Sequence, residues 1–272
     1  MHSISDDLNR QGNAYFAQGR YTEAYTCYVK ALEHDRLSGD QRAMSATLGN
    51  LGNICAVSGR RDPAQAYYIE VLELQKILGD ERGIGTTLAN LGNLRADAGE
   101  WDRARAYYLE ALDIMNRIND EVGKAVLYSD LGLVARETGQ FQEAMDHYET
   151  SLSLMQRLGN AGGVADAWRM KGRTYLVQGL VDEALACCQT SLAVAERTND
   201  ELRAGGARYV MVQCYEEQGN LRHAVALLER VVAMDQKYQL PKLAENTRRL
   251  DTLRTRLRSS GTIPPTLEET HQ

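Results

Sequence analysis

The sequence predicts an all-α fold, a solenoid of stacked helical hairpins, and three observations carry that prediction. Glycine occurs at Gly19, Gly59, Gly99, Gly139, Gly179 and Gly219, each 40 residues from the next, with an alanine five residues later every time, from Ala24 to Ala224. Large side chains then follow in steps of four, Tyr28 and Leu32 in the first copy, Tyr68 and Leu72 in the second, which places them on one helix face. Only four prolines and two phenylalanines occur in 272 residues, while Ala, Leu, Glu, Arg and Gln are abundant, so intrinsic propensity favours helix.

A second series, Gly12, Gly52, Gly92, Gly132 and Gly172, has Leu8, Leu48, Leu88, Tyr128 and Trp168 four residues before it and belongs to a preceding helix. Each unit therefore reads as two helices of roughly 16–18 residues. Gly19 and its repeats end the first helix, where a left-handed cap is cheap for glycine. Asp62-Pro63 is the kind of pair expected to open the second helix, with Asp accepting from free amides and Pro at the first helical position. Between units stand Gly39-Asp40, Gly79-Asp80, Asn119-Asp120, Gly159-Asn160 and Asn199-Asp200, a C-cap followed by an N-cap.

Gly52 and Gly92 lie inside helices, where glycine costs about 1 kcal/mol relative to alanine, so something must offset the loss. Close approach of the second helix against Ala64 or Ala104 is the expected compensation. A phosphate-binding loop needs glycines at a strand-to-helix turn, and no strand precedes these; "GIGTTL" at 83–88 is likewise a helix start.

The predicted organisation is six 40-residue repeats over 1–240, a capping helix over 241–258 and a disordered tail over 259–272. Pro241 opens the capping segment, which carries Leu243, Leu250, Leu253 and Leu257 on one face. Its charges favour a solvated cap over a nucleic-acid or lipid surface, because a single basic helix without interleaved aromatics is weak evidence for either. The sixth copy departs from the pattern, with Arg208 in place of a large apolar residue and Val212 in place of the glycine, and predicts different packing there.

Composition excludes several classes of function. With 43% hydrophobic and 25% charged residues the chain is neither disordered nor membranous, and no apolar stretch approaches the roughly 20 residues of a membrane span. The N-terminus lacks the features of a signal peptide, so a cytoplasmic location is expected. Cys27, Cys55, Cys187, Cys188 and Cys214 have no CxxC spacing and read as core-fillers, which argues against disulfides and zinc. A net charge of −6 speaks against general nucleic-acid binding. The five histidines are scattered with no HExxH, so no catalytic residue, metal site or cofactor is predicted, and the chain is not expected to be an enzyme.

The pattern resembles the tetratricopeptide repeat. Its signature is met by Leu48-x2-Leu51-Gly52-x2-Cys55 with Ala64-x3-Tyr68, and by Trp168-x2-Lys171-Gly172-x2-Tyr175 with Ala184-x3-Cys188, and the match runs over about residues 3–238. The resemblance implies a right-handed α-α superhelix. The 40-residue unit, Asn-Leu-Gly-Asn in the first helix and Leu-Gly-Asp between repeats are similar to arrays of the Pins/LGN cell-polarity adaptors and kinesin light chain, although no GoLoco motif follows in 241–272. It also implies that first helices line a concave groove that holds a protein or peptide ligand.

The groove positions are Asn9, Arg10 and Asn13 in the first copy, Asn50 and Asn53 in the second, Asn90 and Asn93 in the third, Asp130 in the fourth, and Arg169 and Arg173 in the fifth. Asn is a mediocre helix former whose amide offers one acceptor and two donors, so a regular ladder of it suits the main chain of an extended peptide. The alternative is that Asn50 and Asn90 bridge adjacent helices or face water. Arg169 and Arg173, one turn apart, can form a fork for a carboxylate or pair with Asp130 or Asp166. An amide-rich first half and a basic region near the fifth copy suit a ligand of acidic character. The leading function is thus an adaptor or scaffold; the rivals are a self-associating assembly protein that uses its terminal repeats, and a peptide-responsive signalling regulator.

Overall fold

The computed structural model describes residues 4–260. Among them the fold is all-α, with thirteen helices: α1 (Ile4–Ala17), α2 (Tyr21–Ser38), α3 (Gln41–Val57), α4 (Arg61–Leu78), α5 (Glu81–Ala96), α6 (Trp101–Arg117), α7 (Glu121–Glu137), α8 (Phe141–Arg157), α9 (Ala161–Val177), α10 (Val181–Arg197), α11 (Glu201–Glu217), α12 (Leu221–Tyr238) and α13 (Leu243–Ser260). The expected tail begins inside α13; its part over 261–272 lies outside the described residues.

The chain divides into two compact units, one ending at Thr138 and holding α1–α7, the other starting at Gly139 and holding α8–α13. In the first, α1 pairs with α2, α3 with α4 and α5 with α6; each second helix packs on the next first helix, and α1 touches α3 as α5 touches α7. In the second unit α9 packs on α8 and α10, α11 on α10 and α12, and α13 on α12, with α9 against α11.

The caps follow the sequence pattern. Gly19, Gly59, Gly99, Gly139, Gly179 and Gly219 all have φ of 70–77°, a region costly for a side chain with a Cβ. At the joints between units, Asp40 accepts from the backbone N–H of Arg42 and Ala43, while Asp80, Asp120, Asn160 and Asp200 each accept from the N–H three residues on. Asp62-Pro63 does not open its helix. α4 starts at Arg61, because the left-handed Gly59 lets the Arg60 N–H reach the Cys55 carbonyl at 2.8 Å and begin the helix earlier. Pro63 is then its third residue, where an N–H would have no intrahelical acceptor anyway.

The mid-helix glycines are explained by a different neighbour from the one expected. A Cβ at Gly12, Gly52 or Gly92 would lie 2.5 Å from Cε1 of Tyr28, Tyr68 or Tyr108, so the missing side chain makes room for a tyrosine ring. The fully buried Ala64 and Ala104 permit the close helix approach from the other side. The fifth copy keeps the arrangement with a smaller partner: Gly172 faces Cys188 Sγ. In the sixth copy Val212 and Leu228 replace glycine and tyrosine, and both are completely buried. That copy is repacked; Arg208 bonds Glu196 at 2.6 Å, and Leu250 and Leu253 of α13 bury beside Leu228 and Val231.

Candidate functional site

Asn13, Asn53 and Asn93 are exposed and lie on the first helices α1, α3 and α5. Each side-chain carbonyl accepts the hydroxyl proton of a tyrosine on its hairpin partner, Tyr28, Tyr68 or Tyr108, at 2.7 Å. Burial pushes the Tyr68 hydroxyl up to about 12 and raises Tyr28 and Tyr108 as well, so each phenol keeps its proton and must donate it. The asparagine acceptor is thereby used, and the two N–H donors of its amide are turned outward. The ladder offers donors.

A second network links the first two repeats. Asp35 is almost fully buried at the end of α2 and accepts from Thr47 at 2.7 Å; Thr47 accepts from Asn9 Nδ2 at 2.8 Å, and Asn9 Oδ1 accepts from Asn50 at 3.2 Å. Asn9 and Asn50 therefore do bridge adjacent helices. One repeat on, Thr87 donates to the buried Gln75 at 3.0 Å, and Asn90 makes no side-chain hydrogen bond among the described residues, because Gly49 stands where Asn9 stands one copy earlier. Asn50, Asn53 and Asn90, with Gln75, Thr86 and Thr87, surround a cleft of about 590 Å³ in the first unit. Thr47→Val is expected to cost about 1.5 kcal/mol, since it leaves a buried carboxylate oxygen without its donor; urea unfolding checks this, and an unchanged midpoint would show the network to be idle.

The remaining positions differ in availability. Arg10 is exposed and paired with Asp7. Asp130 is half-buried on α7 with no hydrogen bond or ion pair among the described residues, and desolvation pushes its carboxyl up to about 7. Arg169 bonds Asp166 at 3.1 Å, and Arg203 bonds the other oxygen of Asp166 at 2.8 Å. The exposed Arg173 and the half-buried Arg169 line one pocket of the second unit together with Tyr209, Lys242 and Asn246. Sequence reasoning treated Lys242 as part of a cap and gave Asn246 no role. The signal for Asn246 was its place in α13 opposite Asp235, which repeats the phase of Asp35.

The cysteines have no such setting. All five are buried, and burial pushes Cys188 up to about 12 and Cys214 up to about 11, away from thiolate chemistry. No helix among the described residues is long and apolar enough to cross a membrane.

Comparison with known proteins bears on the fold. A search of curated protein sequences returned no match. Among solved structures, BtubC (BKLC) from P. vanneervenii is 19% identical with a TM-score of 0.60, covering 97% of both chains. A Rap protein complexed with Competence and Sporulation Factor is 16% identical with a TM-score of 0.69, over 94% of this chain and 76% of that one. A Podosopora anserina putative kinesin light chain with nearly identical TPR-like repeats is 14% identical with a TM-score of 0.59, over 73% of this chain and 99% of that one. At these identities the likeness is one of fold. The tetratricopeptide repeat family model matches residues 7–77, 83–157 and 163–237, and with most of the length so matched and each hairpin built on the same glycine and alanine phases, the chain belongs to the tetratricopeptide repeat family.

Proposed function

We propose that this protein is an interaction scaffold that holds an extended peptide along its first helices, with the main chain of the ligand bonded to the amides of Asn53 and Asn93. The family supports a protein–protein interaction role. The observation that carries the finer reading is the tyrosine-fixed amide: Asn53 and Asn93, 40 residues apart and exposed, each spend the carbonyl on a tyrosine and keep two N–H donors, Asn53 at the edge of the cleft, and peptide carbonyls are the complementary acceptors. Each such bond nets only about 0.5–1.5 kcal/mol, so several act together. Arg169 and Arg173 of the second unit add cations that suit carboxylates on the same class of ligand. Buried, unbridged cysteines agree with a cytoplasmic setting. The structure of a Rap protein complexed with a factor is a case in which a similarly folded chain holds a ligand.

The test compares wild type with Asn53→Ala/Asn93→Ala at equal helicity by circular dichroism, capturing partners from a native lysate and then titrating a recovered partner peptide. We expect affinity to fall about tenfold, the loss of two hydrogen bonds. If the same partners bind both proteins equally, the ladder is not the site; if only copies of the chain itself are recovered, self-assembly replaces the scaffold reading.

A further inference from the structure

The second unit contains a pocket of about 460 Å³ bounded by α9, α11, α12 and the start of α13. Its wall is apolar, from Leu202, Val210, Val231, Met234 and Leu240, and its inner polar pair is Asp235 and Asn246, which are 3% and 2% exposed. Asn246 Nδ2 donates to Asp235 Oδ2 at 2.7 Å, which fixes the amide orientation because a carboxylate can only accept. Asn246 Oδ1 is left fully buried with no hydrogen-bond partner. At the matching position in the first unit the chain of bonds from Asp35 continues through Thr47 to Asn9 and Asn50. At Asn246 it stops one donor short, and an unmet buried acceptor is uncommon in a folded protein.

The mouth of the pocket is cationic. Lys242 and Arg249 approach the Tyr209 ring at 5.4 and 5.2 Å from its centroid; Arg249 is paired with Glu216, whereas Lys242 makes no ion pair among the described residues. Arg173 also lines an adjoining cleft of about 640 Å³ together with Glu216, Glu217, Arg249 and Arg256, the last without an ion pair among the described residues. These charges gather on a chain whose net charge is −6.

We infer that α13 completes a second ligand site, one that takes an acidic peptide segment: an apolar side chain enters the pocket, a backbone N–H donates to Asn246 Oδ1, and flanking carboxylates rest on Lys242 and Arg256. The inference rests on the peptide-binding reading for its class of ligand and uses none of the ladder residues. Nucleic acid fits less well, since among the described residues Tyr209 is the one aromatic side chain lining either cavity, too few for base stacking.

The test is fluorescence anisotropy with the full chain and a labelled decapeptide of one leucine flanked by glutamates, made as free acid and as C-terminal amide. Controls replace leucine with alanine, or glutamates with lysines, or use a ten-nucleotide oligodeoxythymidine. We expect saltable binding of the glutamate peptide, at least about tenfold weaker for Lys242→Glu, as for a lost charge-assisted contact, and weaker for the alanine peptide. Equal binding of acid and amide assigns the rim to side-chain carboxylates, and loss with the amide assigns it to a chain end; both support the site. N-methylating the backbone nitrogens one at a time should weaken one position selectively. Absence of binding by wild type, indifference to Lys242→Glu at unchanged helicity, or preference for the oligonucleotide would overturn the inference. Asn53→Ala/Asn93→Ala should leave this binding intact, so failure of the ladder and failure of the α13 pocket are separable.

Discussion

Gly92→Val is expected to destabilise the first unit by about 3 kcal/mol, with the loss largely recovered by Tyr108→Leu in the same chain. A Cβ at Gly92 would fall 2.5 Å from Tyr108 Cε1 and 2.7 Å from Cδ1. The ring cannot swing away freely, for it is 1% exposed and its hydroxyl is tied to Asn93. Valine recovers some helix propensity relative to glycine, well under 1 kcal/mol, so overpacking wins. The protein already contains the rescued pair, in the sixth copy, where Val212 and Leu228 meet with nothing exposed. Tyr108→Leu alone opens a cavity and should cost about 2 kcal/mol. A double-mutant cycle by urea unfolding measures the coupling, and hydrogen exchange should place the loss in α5 and α6, because repeats are stabilised mainly by their neighbours. If the double mutant is destabilised by the sum of the two single changes, the glycine and the tyrosine are not a packed pair.

That pair also shows what a sequence of this kind makes legible. The 40-residue phase gave helix faces, hairpin joints and left-handed caps, because those depend on local dihedrals and on spacing along one helix. It did not tell which side chain of the second helix reaches the first, since helical period fixes a direction and leaves reach to the rotamer. So Ala64 was expected against Gly52, and Tyr68 is there. A signal was nevertheless present: glycine and tyrosine recur at a constant offset through four copies, the fifth keeps Gly172 opposite the smaller Cys188, and in the sixth both change, to Val212 and Leu228. The candidate site was half-legible for the same reason. Exposed asparagines could be counted, but the use of their carbonyls by Tyr28, Tyr68 and Tyr108, and the unmet acceptor of Asn246, are facts about long-range partners. Asp62-Pro63 failed as a cap because the turn at Gly59 decides where α4 begins.

Replacing Asp130 with asparagine is expected to raise stability by about 2–3 kcal/mol at pH 8 and to change it little at pH 4. In the folded chain desolvation pushes the carboxyl from 3.8 to about 7, with no ion pair among the described residues to favour the charge. Between those two pH values the folded state keeps a proton that the unfolded state has released, so this group makes stability fall as pH rises, by up to about 1.4 kcal/mol per unit. The penalty is absent below the unfolded value and complete above the folded one. Because Asp130 is half-buried, water screens part of it, and the expected effect is below the full shift. Unfolding midpoints of wild type and Asp130→Asn measured from pH 4 to pH 8 check this, and parallel curves would show that Asp130 ionises as a surface carboxylate does. The fold tolerates an amide at this register: Arg10, Asn50, Asn90 and Asp130 share one phase, and Asn90 already sits there with no side-chain bond. Arg10 is held by Asp7 and Asn50 by Asn9, whereas Asn90 and Asp130 make no side-chain hydrogen bond or ion pair among the described residues. The cost of holding this carboxyl out of water is therefore read directly from the pH slope.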